Sequence, residues 1–286
     1  MKYQKPPVKY VVAKLKFSKV FGKYAEDKYK DVLDKLDAIG LERIVVSKVN
    51  QLELHQSGEN FKFSEGIVDR VGFFSANSKR CAIISEQVLE FRLSEYDDHK
   101  HFLDDAYSFY EKFIESGFAV ENPISEIELH YVDHFIPVEC ELADMFQGVT
   151  LPIGQFYSND NDFFQFGGLN FSRILDSKRE KVQVSLEQLP IGATGESEQR
   201  NLPKLLPDTL IEPDSKLGMP ISVEYPESSV GKHYALVHTQ GSKLITPEDN
   251  KTVIRDHLEE LYKEGRLTFD KMINTEVCNG IWELME

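Results

Sequence analysis

The chain has 286 residues, 41% of them hydrophobic and 28% charged, with three cysteines and a net charge of −15. That length can bury a substantial core, in one large domain or two of ordinary size. The acid excess argues against a general nucleic-acid binder, whose affinity comes from Lys and Arg neutralising phosphates, and no apolar run approaches the roughly 18 residues needed to cross a bilayer.

The N-terminus begins with lysines but has neither a clean apolar core nor a small-residue cleavage site, so no signal peptide is expected. Cys81, Cys140 and Cys278 lie far apart with no CxxC pair. They read as reduced thiols, which points to a cytoplasmic protein without a cysteine metal site. Charge is spread unevenly: residues 1–23 carry seven lysines and no acid, leaving −22 on the remainder. The bland explanation is that these lysines face solvent or carboxylates on neighbouring strands. The sharper one is a contact for an anionic or acidic partner, with Lys9, Tyr10, Lys14 and Lys16 as the candidate interaction residues.

In VKYVVAKLKFS, residues 8–18, Val11, Ala13, Leu15 and Phe17 fall on one face of a strand and Tyr10, Val12, Lys14 and Lys16 on the other. Tyr29, Val32, Leu33, Leu36 and Ile39 follow at helical spacing, with Gly40 where a helix would stop. RIVVSKVNQLELH predicts a strand, with a second lobe around Phe61 to Phe63, and Asn77-Ser78 separate RVGFF from CAIISEQVLEFRL. HKHFLDDAYSFYEKFIESG predicts an amphipathic helix ending at Gly117, with Asp97 and Asp98 as candidate N-caps.

The second half repeats this order of elements. EIELHYVDHF reads as a strand, ELADMFQG as a short helix, and FFQFGGLNFSRIL and KVQVSLEQL as strands around DSKRE. A long irregular insertion spans 191–220, ISVEY and HYALVHT are expected to be the last strands, and a final helical region breaks at Gly265. The expectation is an α+β fold with antiparallel sheet, built from two strand–helix–strands–helix halves at 1–122 and 123–286. Such a pseudo-duplicated plan suggests a curved sheet with packed helices.

The densest candidate site is His130-Tyr131-Val132-Asp133-His134. On a strand His130 and His134 stand about 13 Å apart, too far to share one zinc, whose ligands lie about 2 Å away. Asp133 is the odd residue, because it falls on the apolar face with Ile127, Leu129, Tyr131 and Phe135. A buried carboxylate must be hydrogen-bonded or protonated, and tying down a neighbouring loop is its commonest role. His130, Tyr131 and Asp133 are therefore read as buried polar residues of a strand. GATGESEQR lacks the Gly-Lys-Ser/Thr ending of a phosphate loop, Gly167-Gly168 reads as a bend, and His233 and His238 fall on opposite strand faces. Trp282, the sole tryptophan, reads as a packing anchor or, alternatively, as a partner-binding anchor.

Three segments carry a family resemblance. PPVKYVVAKLKFS, LHYVDHF and DHLEELYKEGRLTFDKMINTEVCNGIW resemble, in order and spacing, the N-terminal Pro-Pro-Val strand, the central Leu-x-Tyr-x-Asn/Asp strand and the C-terminal Leu-His-type helix with its final Trp of a sporadically distributed bacterial family without an assigned activity. The chain departs at His130, where arginine is usual, at Asn274, where threonine is common, and at His257, which precedes its Leu. Patchy distribution implies genes of mobile or defence loci. The expectation is a cytoplasmic, non-enzymatic interaction or regulatory component of an antiphage-defence or toxin-immunity system. It would act without a cofactor by contact with another protein, such as a basic effector encoded nearby. The alternatives are a small-ligand sensor or enzyme using a sheet–helix cavity with Asp133, His130 and Tyr131, and a nucleic-acid binder using Tyr10, Lys14 and Lys16 of the first strand.

Overall fold

A strand that is apolar on both faces belongs in the middle of a sheet with a cover on each side, and the first strand is of this kind. In the computed structural model, β1 (Val8–Phe17) buries Val11, Ala13, Leu15 and Phe17 on one face and Tyr10 and Val12 on the other. The structure describes residues 3–57, 60–119, 121–148, 167–175, 179–191, 203–229, 233–246, 249 and 253–285, without the side chains of 51–64. Within them α1 (Glu26–Leu36), β2 (Arg43–Ser57), β3 (Asn60–Phe74), β4 (Arg80–Ser85), β5 (Val88–Leu93) and α2 (His99–Glu115) follow β1. The second half is β6 (Ile124–Phe135), β7 (Gly167–Ile174), β8 (Glu180–Pro190), β9 (His233–Leu244), α3 (Ile254–Met272) and α4 (Thr275–Trp282). The strands form one antiparallel sheet in the order β2-β3-β4-β5-β1-β6-β9-β8-β7, so the fold is α+β.

The order is nearly symmetric about the β1–β6 pair. Each half places its first strand at the centre, sends the chain to the far edge and returns to lie beside that strand, by hairpins in the first half and, in the second, by the β7–β8 turn and then a long connection before β9. The sheet runs unbroken across residues 122–123, where α2 gives way to β6. Among the described residues no helix is long and apolar enough to cross a membrane.

Helices cover one face. α1 contributes Tyr29, Val32 and Leu36, α2 contributes Phe102, Leu103, Ala106, Phe109 and Phe113, and α3 adds Leu258 and Leu261. The α2 N-terminus is capped by Asp98, whose carboxylate accepts from the N–H groups of Lys100 and His101 at 2.8 and 3.1 Å. Trp282 of α4 packs edge-on against Tyr3 and Phe135, with centroids 5.3 and 5.2 Å away. It closes a second apolar cluster on the same side.

The other face is covered by residues 203–229, which cross it as an extended strap punctuated by 3-10 turns at Asp208–Leu210, Ser215–Leu217 and Glu227–Ser229. Leu210 and Leu217 are its apolar anchors. Leu217 sits over Gly72, where a Cβ would come within 2.7 Å of its Cδ2 and of the Phe74 ring, so a larger residue would have to displace both side chains. The strap is also held by charge. Glu212 accepts from Arg70 Nε and Nη2 at 2.8 and 2.9 Å and pairs with Arg92 at 2.9 Å, while Arg92 also bonds Glu90. Two guanidinium and two carboxylate groups thus balance in a largely buried cluster, and Arg92 holds the Glu90 carboxyl down to about 2 against the cost of burial.

Three expectations are corrected. RVGFF is the end of the long β3, and CAIISEQVLEFRL is two strands, because Glu86 turns the chain with φ 39°. ISVEY is not a strand but part of the strap, where Ile221 and Tyr225 pack inward without sheet bonds. Gly265 does not break α3, which runs on to Met272; the break falls at Ile273, whose extended backbone bridges to Phe146. ELADMFQG forms the expected short helix, of the 3-10 type, over Leu142–Met145. The expected strand residues FFQF and the GATGESEQR stretch lie outside the described residues.

Replacing Glu212 with Ala leaves two buried guanidinium groups sharing one carboxylate. Breaking such a pair costs about 3–5 kcal/mol. Urea denaturation should show that loss together with faster proteolysis of the strap; an unchanged midpoint and unchanged cleavage would contradict the clamp.

Candidate functional site

Asp133 decides where to look. β6 places it on the helix-facing side between Tyr131 and Phe135, where it is 2% exposed. Its Oδ1 has no hydrogen-bond partner. Thr239 of β9, also buried, leaves its Oγ1 without one. Both residues line a cavity of about 110 Å³ between β6, β9 and α3, which opens toward the chain before α2 and the N-terminal Pro6-Pro7. α3 approaches β9 closely because of Gly241, where a Cβ would lie 3.3 Å from that of Leu261.

Aromatic rings form most of the wall. Tyr131 has Tyr96 and Tyr262 at centroid distances of 5.8 and 5.9 Å, and His99 stacks on Tyr262 at 4.1 Å with planes 5° apart. Arg266, one helical turn beyond Tyr262, is held by Asp270 at 2.8 Å and lies over Phe269 at 5.3 Å. Burial pushes the Asp133 carboxyl up to about 7, with Arg266 and Lys9 pulling only partly the other way. Burial also raises the Tyr131 hydroxyl well above its ordinary value and lowers the His99 imidazole. The arrangement offers acceptor atoms inside an aromatic shell.

His130, expected beside Asp133, points to the opposite face. Its Nε2 lies 2.9 Å from Glu128 and its Nδ1 lies 3.0 Å from His238 Nε2. A neutral pair satisfies this when His130 Nε2–H donates to Glu128 and His238 Nε2–H donates to His130. Burial lowers the His238 imidazole to about 3 and that of His134, which donates to Leu205 O at 2.9 Å, to about 4. These histidines tie the strap face together and do not reach the cavity.

The basic first strand largely meets its own acids. Lys14 stands opposite Glu90 on β5 and Glu128 on β6, Lys16 lies 3.8 Å from Glu126, and Lys9 faces Glu224 and Asp133. Tyr10 is 2% exposed and Trp282 3%, so both are core residues and neither presents a surface to a partner. Among the described residues one trio, Asp97, Asp98 and His101, brings three possible metal donors within 4.8 Å; it is solvent-facing, and Asp98 is engaged as the α2 cap.

Sequence patterns had singled out Asp133 and Tyr131 but not Thr239, Tyr96, Tyr262 or Arg266. Arg266 could have been found, since it interrupts the apolar stripe Leu258, Leu261, Phe269 of α3 as Asp133 interrupts that of β6.

The Asp133 account fixes a pH dependence. The native state holds the proton up to about pH 7 and the unfolded chain only to about 3.8, so the stabilising difference is full below 3.8 and lost as pH rises through 7. Asp133→Asn should therefore match the wild type near pH 4 and exceed it above pH 7 by on the order of 2–4 kcal/mol. His134 and His238 act oppositely, losing stability as pH falls below the ordinary 6.5, but they cancel in this difference. Equal urea midpoints at pH 8 would refute the unpaired carboxylate.

No protein-family model, no curated protein and no solved structure matches the chain.

Proposed function

We propose that the protein is a non-catalytic binding component whose cavity between β6, β9 and α3 takes a small ligand. The observation that carries this reading is that Asp133 and Thr239 line that space while Asp133 Oδ1 and Thr239 Oγ1 are buried without hydrogen-bond partners. A core strand position with these neighbours favours an apolar residue, and a buried acceptor left unmade costs stability. Such costs concentrate where a protein binds or reacts. The lining is mostly apolar and aromatic with few convergent polar atoms, as ligand sites are.

A ligand specific for the native state stabilises it by about 2.7 kcal/mol at a hundredfold excess over its Kd. A thermal-shift screen of small polar metabolites should therefore yield compounds that raise the melting temperature of the wild type and leave Asp133→Leu unmoved. Equal shifts in both proteins, or none in either, would count against the cavity as the site.

A second reading, contact with a protein partner within a defence or immunity system, is favoured by one feature. Beyond Lys48 on β2 and Asp69 on β3 the two strands pair only with each other among the described residues, since β4 joins β3 only from Arg70. Two-stranded ribbons are marginal alone, and the acidic chain suits a basic partner. Co-expression with neighbouring genes should then give a stoichiometric complex that is lost when residues 51–64 are replaced by a short turn. A complex unaffected by that replacement would set the ribbon aside.

A further inference from the structure

We propose that the cavity ligand is a small organic cation, a protonated amine, seated between the Asp133 carboxylate and the rings of Tyr96, Tyr131 and Tyr262. This rests on the cavity being a ligand site and adds the chemical class of its occupant.

The charges facing the space decide the class. Asp133 is at the floor, and Asp97 and Asp98 stand at the mouth. Arg266 is the one cation in the lining, and its charge is met by Asp270 at 2.8 Å and by the Phe269 ring. His99, stacked on Tyr262 and pushed toward its neutral form by burial, adds little positive charge. Lys9 acts on Asp133 from β1 but has Glu224 beside it as well. The balance of the site is therefore negative, within a chain of net charge −15.

An anion would meet Asp133 and two further carboxylates. A neutral alcohol would satisfy Thr239 but leave an ionised Asp133 short of countercharge. A cation gains from both the carboxylate and the ring faces, because ring quadrupoles attract positive charge most strongly when desolvated. Its N–H groups donate to Asp133 Oδ1 and Thr239 Oγ1, which with the Tyr131 hydroxyl are the buried side-chain atoms of the described lining without hydrogen-bond partners. Size narrows the class further. A cavity of about 110 Å³ corresponds to some three or four waters at ~30 Å³ each, or to a molecule of about four to six non-hydrogen atoms.

The class predicts a pH dependence of binding. The amine requires the ionised carboxylate, so affinity rises as pH climbs toward and past about 7. Protonation of His99 at low pH acts in the same direction, while Tyr96, Tyr131, Tyr262 and Arg266, all raised above their ordinary values, keep their protons between pH 5 and 8.

The test is an NMR titration of the full chain with n-butylammonium, n-butanol and butyrate, read on the ring resonances of Tyr131 and Tyr262. The expected result is saturable binding of butylammonium, about tenfold or more weaker at pH 5 than at pH 8. Butanol should bind weakly, butyrate should not bind, and binding of the amine should be lost in Asp133→Asn. Urea denaturation of that variant separates lost binding from lost folding. Tighter binding of butanol or butyrate, still sensitive to Asp133, would overturn the cationic class while leaving the cavity as a site. Absence of any response from all three probes, or an amine response unchanged in Asp133→Asn, would overturn both.

Discussion

The structure depends on one constraint: its two central strands bury residues on both faces. β1 and β6 pair along their length and bury Val11, Leu15, Ile127 and Leu129 on one side and Tyr10, Val12 and Val132 on the other. A sheet so built needs two covers. Helices supply the first, since α1, α2 and α3 each carry one apolar stripe. The second is not a layer of regular structure but the strap 203–229, whose few apolar anchors would cover little without help. The cluster of Arg70, Glu90, Arg92 and Glu212 provides that help, fixing where the strap lies. A buried ion cluster adds modest net stability but penalises any misplacement of its members, which suits a segment without backbone pairing of its own.

Against this pattern of satisfied groups Asp133 is the discordant residue. The lysines of β1 meet carboxylates on adjacent strands, His130 meets Glu128 and His238, and His134 meets the strap backbone. Asp133 lines an aromatic-walled space, and its buried Oδ1 has no donor. A buried carboxylate without a donor at a cavity wall, beside the equally unpartnered Tyr131 hydroxyl and Thr239 Oγ1, points to a binding site, since such exceptions concentrate at functional positions. The same physical fact, a carboxylate desolvated without a partner, is the source both of the stability cost and of the selectivity for positive charge.

Much of the fold was legible because its signals are local. The alternation in residues 8–17, the helical spacing through Val32 and Phe109, and the oddness of Asp133 on an apolar face can all be read from neighbours a few positions away. What was not legible depends on distant partners. Arg70 and Glu212 are 142 positions apart and His130 and His238 are 108 apart. ISVEY alternates like a strand, yet the face it reaches belongs to the finished sheet, where no strand edge is left to pair with it. Gly265 reads as a break in isolation but packs against Thr239 in the folded chain. Tyr10 and Trp282 carry the chemistry of interface anchors, and only the packing shows them spent on the protein's own core.

The central claim is that Asp133 is a buried carboxyl group facing an aromatic cavity without a hydrogen-bond partner for Oδ1. Its most direct test is an NMR titration of the Asp133 side-chain carboxyl carbon in the ligand-free protein. The account predicts a midpoint near 7, falling when a cationic ligand is bound. A midpoint at or below the ordinary 3.8 would mean that the carboxylate already has its partners, and the cavity would lose its claim to be a site.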